Sequence, residues 1–275
     1  MTRAVTAATR VAGIIGDPVV HSRSPAMHNA AYAACGLDWV YVAFTVPAGR
    51  AADALRAARS LGLAGLNVTM PHKTDAAAAC DELTPTARRL DAANTVSVGE
   101  SGRLLGDSTD GPGFLAALAE LGVDPNGRRV LVVGAGGAGR AIANALGERG
   151  AHVVVAARRP EAARAAAALA NGEALALDAV DGTITDVDVI VNATPLGMRG
   201  EAPPFDTARL GATHVVFDTV YHPAETPLMV AARARGATVT NGLSMLVHQA
   251  AAAFRVLTGV EAPLDAMRAA AEGAQ

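Results

Sequence analysis

Near the middle of the chain an apolar run leads directly into a cluster of glycines, Val130-Leu131-Val132-Val133-Gly134-Ala135-Gly136-Gly137-Ala138-Gly139. The apolar run and the glycines predict a strand that turns sharply into a helix over Gly137–Arg149. In a GxGxxG turn the first glycine permits the tight bend. The second lets the backbone approach a pyrophosphate, and the third lets helix and strand pack closely. With a second strand at Val153–Ala156, this predicts a βαβ dinucleotide site. The binding residues are Gly134, Gly136, Gly137, Ala138 and Gly139.

The end of the second strand indicates which nicotinamide cofactor is bound. An NAD enzyme usually carries an acid there for the ribose 2′-hydroxyl, whereas an NADP enzyme carries an arginine. This chain has Ala157-Arg158-Arg159 and no acid before Glu161. Because a guanidinium can hold a phosphate through paired hydrogen bonds, Arg158 and Arg159 favour NADP (NADPH). A solvated basic loop is a reasonable alternative for one of the two arginines, but less so for both.

Outward from this stretch, short Val/Ile/Leu runs alternate with Ala-rich helical segments. This alternation predicts an α/β fold with a largely parallel sheet. We expect a first α/β unit of roughly a hundred residues and a second that begins near Asp110. In the first unit we predict that Ser24 caps a helix, that Pro71 opens another and that Gly99–Gly102 closes a hairpin. The predicted strands are Val11–Ile15, Val40–Thr45, Gly65–Val68, Thr95–Val98, Arg103–Gly106, Val130–Val133, Val153–Ala156, Val189–Asn192, His214–Phe217 and Thr238–Thr240.

Composition narrows the function classes. The chain of 275 residues is 51% hydrophobic with a formal net charge of -3, and it has no basic run typical of a nucleic-acid or anionic membrane surface. No apolar stretch reaches the ~20 residues that a membrane-spanning helix needs. Cys35 and Cys80 lack CxxC spacing, which favours a reducing, cytoplasmic location. The seven histidines form no zinc pattern, so we expect no metal.

Polar residues in the first unit suggest a binding site. Ser22 and Ser24 stand beside a predicted helix N-terminus, where their hydroxyls could bind a carboxylate. Asn67 and Thr69 follow the third strand on the same side. Lys73 lies in the first turn of the next helix, where the helix dipole opposes a cation. A purely structural lysine gains little from that position, which favours a role in proton transfer.

Two further segments with polar groups flank the hairpin. Asn94-Thr95 lies at its start and Gly106–Gly111 at its end. Asp110 is expected at the join between the units, where a carboxylate could pair with Lys73 and orient a substrate hydroxyl. A helix N-cap is an equally good interpretation of Asp110. Position alone does not choose between these two roles.

Taken together, these residues resemble the shikimate dehydrogenase family, over nearly the whole chain and in one order. The motifs that carry the resemblance are SxSP (Ser22–Pro25), NVTxPHK (Asn67–Lys73), NT (Asn94-Thr95), GDxTDG (Gly106–Gly111), GAGGAG (Gly134–Gly139), NATPLGM (Asn192–Met198), DxxYxPxxTPL (Asp218–Leu228) and GLxMLxxQAxxAF (Gly242–Phe254). Each is moderate support alone, and eight in register are strong.

The resemblance implies reversible NADPH-dependent reduction of 3-dehydroshikimate to shikimate, a step in aromatic amino acid (chorismate) biosynthesis. It implies Lys73 and Asp110 as the catalytic pair, and Ser22 and Ser24 on the substrate carboxylate. Thr69 and Tyr221 would assist them, while Asn67, Asn94 and Gln249 would bind ring hydroxyls. Thr194, Met198, Gly242 and Met245 would border the cofactor.

The family also implies that the last helices return to the first domain. The substrate-binding and catalytic domain would then comprise residues 1–109 plus 243–275, and the Rossmann domain residues 110–242. We expect a monomer or a homodimer. Two positions depart from the family pattern, since Ala157 replaces a common Asn beside the adenosine ribose and Ser244 replaces a common Gly.

Two alternatives stay open. One is a paralogue that acts on quinate or an amino-shikimate, perhaps with NAD. The other is a non-catalytic NADPH-binding regulatory module, against which the presence of Lys73 and Asp110 argues.

Overall fold

A computed structural model describes residues 4–274 of the chain. The chain divides into two compact units. One comprises the described parts of Met1–Thr109 and Val247–Gln275, and the other is Asp110–Leu246. Each unit is built around its own six-stranded sheet.

The first unit begins with alternating strands and helices. Its elements are β1 (Arg10–Gly16), α1 (Ser24–Ala34), β2 (Trp39–Thr45), α2 (Ala51–Ser60), β3 (Gly65–Val68), α3 (Lys73–Ala79), β4 (Glu82–Leu83), α4 (Pro85–Leu90), β5 (Thr95–Val98) and β6 (Leu104–Asp107). The strand order is β2-β1-β3-β5-β6-β4. The register places Asn67 opposite Thr95, and Thr95 opposite Asp107. These polar residues therefore meet across three neighbouring strands.

Three details of the first unit differ from the sequence prediction. Its sheet is mixed, because the predicted hairpin β5–β6 pairs antiparallel with β3 and within itself. The helix expected from Pro71 begins at Lys73, because His72 holds the N-cap position and its buried ring bonds the Val46 carbonyl at 2.7 Å. The short elements β4 and α4 have too few residues to show a periodic pattern.

The second unit has the expected βα alternation. Its elements are α5 (Asp110–Glu120), β7 (Arg129–Val133), α6 (Gly137–Glu148), β8 (His152–Ala157), α7 (Pro160–Ala168), β9 (Glu173–Ala176), β10 (Val189–Asn192), β11 (Val215–Asp218), α8 (Pro227–Ala234) and β12 (Thr238–Thr240). Short 3₁₀ turns lie at Leu177–Gly182, Ile184–Asp186 and Thr207–Arg209. The strand β9 is absent from the prediction because its side chains are mostly exposed and carry no buried apolar run.

All strand pairs of the second sheet are parallel, in the order β9-β8-β7-β10-β11-β12. This is the doubly wound order of dinucleotide-binding domains, with the switch point between β7 and β10. Side chains of β7 alternate between two cores, with Val130 and Val132 on one face and Leu131 and Val133 on the other. Burial on both faces explains why this strand is a continuous apolar run.

Two closing helices, α9 (Leu243–Thr258) and α10 (Leu264–Gly273), complete the chain. The division between the units falls between Leu246 and Val247, inside α9; the sequence prediction had it at residue 243. Within the first unit, α10 packs along α1. The Arg23 guanidinium donates to the Ala271 carbonyl at 2.8 Å, which ties the chain's last helix to its first.

Although only 3% of the residues are aromatic, several of them meet in the core of the first unit. The ring of His28 stacks on Tyr41 with centroids 4.2 Å apart and planes 5° apart. The rings of Tyr32 and Phe254 are tilted relative to that of His28, with centroids 6.1 and 6.2 Å from it. Among the described residues neither ring nitrogen of His28 has a hydrogen-bond partner. Burial lowers the pKa of His28 to about 3.

We predict that His28 makes the protein less stable in acid. As the pH falls from about 6.5 to about 3, the unfolded chain binds a proton at this position and the folded chain does not. The free energy of unfolding should therefore fall by up to ~1.4 kcal/mol per pH unit within that window. His28→Phe keeps an aromatic ring without the titration and should flatten the slope. Urea unfolding at several pH values between 7.5 and 4.5 measures how the free energy of unfolding changes with pH in the two proteins.

The exposed His152 provides the control, because His152→Asn removes a histidine that is already hydrated when folded. Equal pH slopes in the wild type and His28→Phe would show that His28 does not control the acid sensitivity.

Candidate active site

The glycine turn after β7 has the backbone that its spacing predicts. Gly134 has φ +115°, a conformation that side chains disfavour. A Cβ on Gly139 would lie 2.0 Å from the Gly134 carbonyl oxygen, so only glycine permits this approach of α6 to the strand. Gly136 is the N-cap of α6, and Gly137 and Ala138 are its first residues. The first amides of α6 therefore form an anion-binding helix start.

A cavity of about 590 Å³ lies against this turn within the second unit. Five of the predicted cofactor residues line it, namely Gly134, Gly136, Arg158, Arg159 and Thr194. Both arginines are exposed and follow β8 directly, and Arg159 is the N-cap of α7. The cavity thus joins a phosphate-binding turn to two guanidinium groups, which suits a phosphorylated dinucleotide.

The wall formed by the loop after β10 is held by a buried polar network. Asn192 accepts from the Thr194 amide at 3.1 Å and from its hydroxyl at 2.6 Å. The Asn192 amide group donates to the Leu196 carbonyl at 3.1 Å and to Asp218 at 2.9 Å. Thr194 is therefore placed by a side chain that is itself fully buried.

Asp218 anchors this network at the end of β11. It accepts from the Val220 amide at 3.0 Å and from the Thr226 hydroxyl at 2.7 Å, in addition to Asn192. Burial raises the pKa of Asp218, and the three hydrogen bonds act in the opposite direction. Thr226 also caps α8 and packs against Gly197, which has φ +101°.

The remaining predicted cofactor residues lie outside the lining of this cavity as described. Gly137, Ala138 and Gly139 belong to α6. Met198 is 53% exposed, whereas Met245 is 7% exposed and packs in a core of the second unit. Gly242 is held against Thr219, whose carbonyl oxygen would lie 2.0 Å from an added Cβ.

In the first unit, the serine pair stands at the start of α1. The prediction that Ser24 caps this helix is wrong, because Arg23 is the N-cap residue and Ser24 is already helical. The Ser22 hydroxyl accepts from the Ser24 amide at 3.2 Å. A serine can bond an amide two residues later, so Ser22 performs the local role expected of Ser24.

Polar residues at the ends of β3 and β5 form a second buried network. Asn67 donates to the Asn94 carbonyl at 3.2 Å and to the Thr95 hydroxyl at 2.9 Å. Asn94 in turn accepts from the Thr109 amide at 2.9 Å. The structure therefore brings Asn67 and Asn94, both predicted to bind substrate, into one hydrogen-bonded cluster.

The other predicted residues are placed within their own elements. Thr69 follows β3, and its amide donates to the Ile15 carbonyl at 2.9 Å. Lys73 is the first residue of α3. Asp110 is the buried first residue of α5, and Tyr221 follows β11, both in the second unit. Gln249 lies in α9, in the part assigned to the first unit.

Metal-binding clusters and membrane-spanning helices are both absent within residues 4–274. No cluster of three or more histidine, cysteine, aspartate or glutamate side chains in that range is placed to hold a metal ion. None of the helices described for this chain combines the length and apolar character needed to cross a lipid bilayer.

Comparison with protein-family models assigns most of the chain. Residues 14–96 match the shikimate dehydrogenase substrate binding domain, residues 117–196 match shikimate / quinate 5-dehydrogenase, and residues 242–272 match the shikimate 5'-dehydrogenase C-terminal domain. The NADP(+)-type shikimate dehydrogenase of Symbiobacterium thermophilum is 44% identical over 95% of this chain and 93% of its own. That of Gluconobacter oxydans is 46% identical over 94% and 93%. The chain belongs to the shikimate dehydrogenase family.

Solved structures agree with this assignment. The shikimate 5-dehydrogenase of Thermus thermophilus, in complex with NADP(H) and shikimate, has a TM-score of 0.90 and 38% identity, covering 97% of this chain and 100% of that one. Quinate dehydrogenase of Corynebacterium glutamicum, in complex with NAD, has a TM-score of 0.89 and 36% identity, covering 95% and 98%. The predicted family and the predicted α/β fold class are confirmed.

Sequence reasoning missed several residues that shape the shikimate dehydrogenase site. Asp218 and Thr95 stand inside the quoted motifs but received no role, because their partners lie on other strands. Ala162 and Leu177 line the cavity without a chemical signature. A buried polar residue at a strand end is the signal that could have found Asp218 and Thr95.

We predict that Ser22→Ala destabilises the first unit by ~0.5–1 kcal/mol, because it removes the hydroxyl that bonds the start of α1. Ser22→Thr keeps a hydroxyl and should recover most of this loss. Ser24→Ala is the matched control and should leave stability nearly unchanged. Urea unfolding at neutral pH compares the three, and a larger loss in Ser24→Ala than in Ser22→Ala would contradict the assignment.

Proposed function

We propose that this chain catalyses the reversible reduction of 3-dehydroshikimate to shikimate by NADPH. Family membership along nearly the full length supports the reaction, since the curated relatives are NADP(+)-type shikimate dehydrogenases. NADPH as the cofactor is supported by the cavity that Arg158 and Arg159 line together with the glycine turn. The enzyme is thus an NADP-dependent oxidoreductase that acts on a CH–OH group.

The proposed mechanism needs a hydride and a proton. The hydride for the substrate carbonyl carbon would come from NADPH when it is bound. The Lys73 ammonium donates a proton to the carbonyl oxygen, and the product is an alcohol. Asp110 is the proposed partner that orients Lys73 for this proton transfer. In the reverse direction, Lys73 takes the proton back from the hydroxyl.

Substrate binding is assigned to polar groups whose chemistry suits a hydroxylated ring acid. Ser22 and Ser24 would hold the carboxylate at the start of α1, where the helix dipole favours an anion. Thr69 and Tyr221 would assist them. Asn67, Asn94 and Gln249 would bind ring hydroxyls, because their amides can donate and accept.

Cofactor binding is assigned to the second unit. The first amides of α6 would face the pyrophosphate across Gly134, Gly136, Gly137, Ala138 and Gly139. Arg158 and Arg159 would hold the 2′-phosphate. Thr194, Met198, Gly242 and Met245 would border the nicotinamide, with Met198 the more accessible of the two methionines.

The main alternative within the family is a quinate dehydrogenase or an amino-shikimate enzyme. A quinate dehydrogenase with bound NAD has nearly the same fold, so fold alone does not choose the substrate. The arginines after β8 favour the NADP enzyme. A non-catalytic module is disfavoured because Lys73 and Asp110 are retained.

We also propose that the enzyme is cytoplasmic, in keeping with the free thiols of Cys35 and Cys80. We further propose that it is a monomer or a homodimer.

The proposed function is tested by the absorbance of reduced nicotinamide with shikimate or quinate as substrate. We expect NADP⁺ to be reduced fastest with shikimate. Lys73→Ala should lower kcat by ~10²–10⁴ with a smaller change in KM, because it removes the proton donor. A faster reaction with quinate would favour the alternative. A Lys73→Ala variant with unchanged kcat and raised KM would make Lys73 a binding residue.

We predict that Arg158 contributes most of the preference for NADPH over NADH. Arg158→Ala should raise KM for NADPH about tenfold, since a charge-assisted hydrogen bond is worth ~1.5–3 kcal/mol and this one is partly screened by solvent. KM for NADH should stay nearly unchanged. Steady-state kinetics with both cofactors, at low and high salt, measure the preference and its screening.

The exposed Arg164 in the same helix region does not line the cavity, so Arg164→Ala is the matched control. Arg158→Ala combined with Arg159→Ala should lose more selectivity than either change alone. Equal loss of affinity for NADPH and NADH in Arg158→Ala would exclude a 2′-phosphate role.

A further inference from the structure

The side-chain amide of Asn67 is held on three sides by buried groups. The Tyr41 hydroxyl donates to Asn67 Oδ1 at 2.6 Å. Asn67 Nδ2 donates to the Asn94 carbonyl oxygen at 3.2 Å and to Thr95 Oγ1 at 2.9 Å. Asn67, Tyr41 and Thr95 are all buried.

The direction of these bonds is fixed by groups that cannot reverse. A main-chain carbonyl only accepts, so Asn67 must place Nδ2 toward Asn94. The Thr95 hydroxyl donates a hydrogen bond to Asn94 Oδ1 at 3.1 Å, and the main-chain amide of Thr109 donates to the same oxygen. A flipped Asn67 amide would set an oxygen against a carbonyl oxygen.

Tyr41 is a permanent donor in this arrangement. Burial raises the pKa of the Tyr41 phenol well above its ordinary value, so the hydroxyl stays protonated. The ring cannot swing away, because it stacks on His28 at 4.2 Å. The Asn29 side chain also bonds the main-chain amide and carbonyl of Tyr41, each at 2.9 Å.

The Asn67 amide therefore has little hydrogen-bonding capacity left for a ligand, and that capacity is as an acceptor. Both hydrogens of Nδ2 are engaged inside the protein, and one of the two lone pairs of Oδ1 is taken by Tyr41. What remains for a ligand is one acceptor lone pair. A group that can only accept a hydrogen bond would meet this oxygen unpaired.

We propose that Asn67 accepts a hydrogen bond from one ring substituent of the substrate, with its polarity set by the Asn94 carbonyl, and that Tyr41 is the positioning residue that holds the accepting oxygen in place. The inference rests on the proposed function, in which Asn67 binds a ring hydroxyl. A hydroxyl or an amine at that ring position satisfies the site. A ketone, an ether or a fluorine of similar size is rejected, because none of them donates.

Tyr32 offers a matched control for Tyr41. It is a buried tyrosine in the same aromatic cluster, with its ring 5.5 Å from Phe254. Within the described residues its hydroxyl has no hydrogen-bond partner. Tyr41→Phe and Tyr32→Phe therefore each remove one buried hydroxyl, but only the first removes a donor to Asn67.

The experiment measures Kd by calorimetry for the intact chain with shikimate, and with analogues in which fluorine replaces each ring hydroxyl in turn. For the wild type we expect at least one fluoro analogue to bind about tenfold more weakly or worse. In Tyr41→Phe, shikimate should bind severalfold more weakly, and the discrimination at one ring position should fall to about threefold or less. Discrimination at the other positions, and all values for Tyr32→Phe, should match the wild type.

Each outcome decides the inference. A general loss of stability would weaken all ligands alike, so a selective loss at one ring position supports positioning by Tyr41. Unchanged discrimination in Tyr41→Phe would overturn the role of Tyr41. Equal binding of every fluoro analogue to the wild type would overturn the acceptor polarity while shikimate turnover left the proposed function intact. A chain that neither binds nor oxidises shikimate would overturn both.

Discussion

Polar side chains buried at the carboxyl ends of central strands are the constraint on which the candidate site depends. Asn67 is the next-to-last residue of β3, and Asn192 and Asp218 are the last residues of β10 and β11. A buried amide without partners costs ~1–3 kcal/mol and a buried carboxylate costs more, so the loops that follow must fold to supply partners. The same hydrogen bonds that satisfy these groups therefore fix where the neighbouring loops lie.

In the second unit this constraint works together with close backbone approach. Asp218 gathers donors from β10, from its own turn and from the cap of α8. Asn192 in turn accepts a hydrogen bond from Thr194, which lines the cavity next to Gly134 of the glycine turn. Gly134, with its positive φ, completes a wall that admits no side chain. Because these groups are already ordered, a dinucleotide that binds here would lose less free energy to the ordering of side chains and loops.

The first unit achieves a similar rigidity with aromatic rings. Tyr41 is held by stacking, by Asn29 and by its own bond to Asn67. His28 contributes its ring face at the cost of burying nitrogens that have no partners among the described residues. The His28 ring thus helps to fix the orientation of Tyr41 and Asn67, and its burial makes the protein sensitive to acid. Asn29 also occupies the free edge of β2 beside Tyr41, where an exposed strand could otherwise pair with another chain.

Local patterns in the chain were enough to predict the α/β class, the glycine turn after β7, and Arg158 at the place where an NAD enzyme has an acid. Each of these depends on residues close together in the chain, where spacing and backbone freedom are readable. Folding was needed to show that Ser22 rather than Ser24 bonds the start of α1, and that α3 begins at Lys73, after the buried His72. The folded structure alone showed the polarity of Asn67 and the anchoring role of Asp218, because Tyr41 and Asn192, which bond them, each lie 26 residues away along the chain. A hydrogen bond between distant residues depends on sheet register and packing, which the local pattern of a chain does not contain.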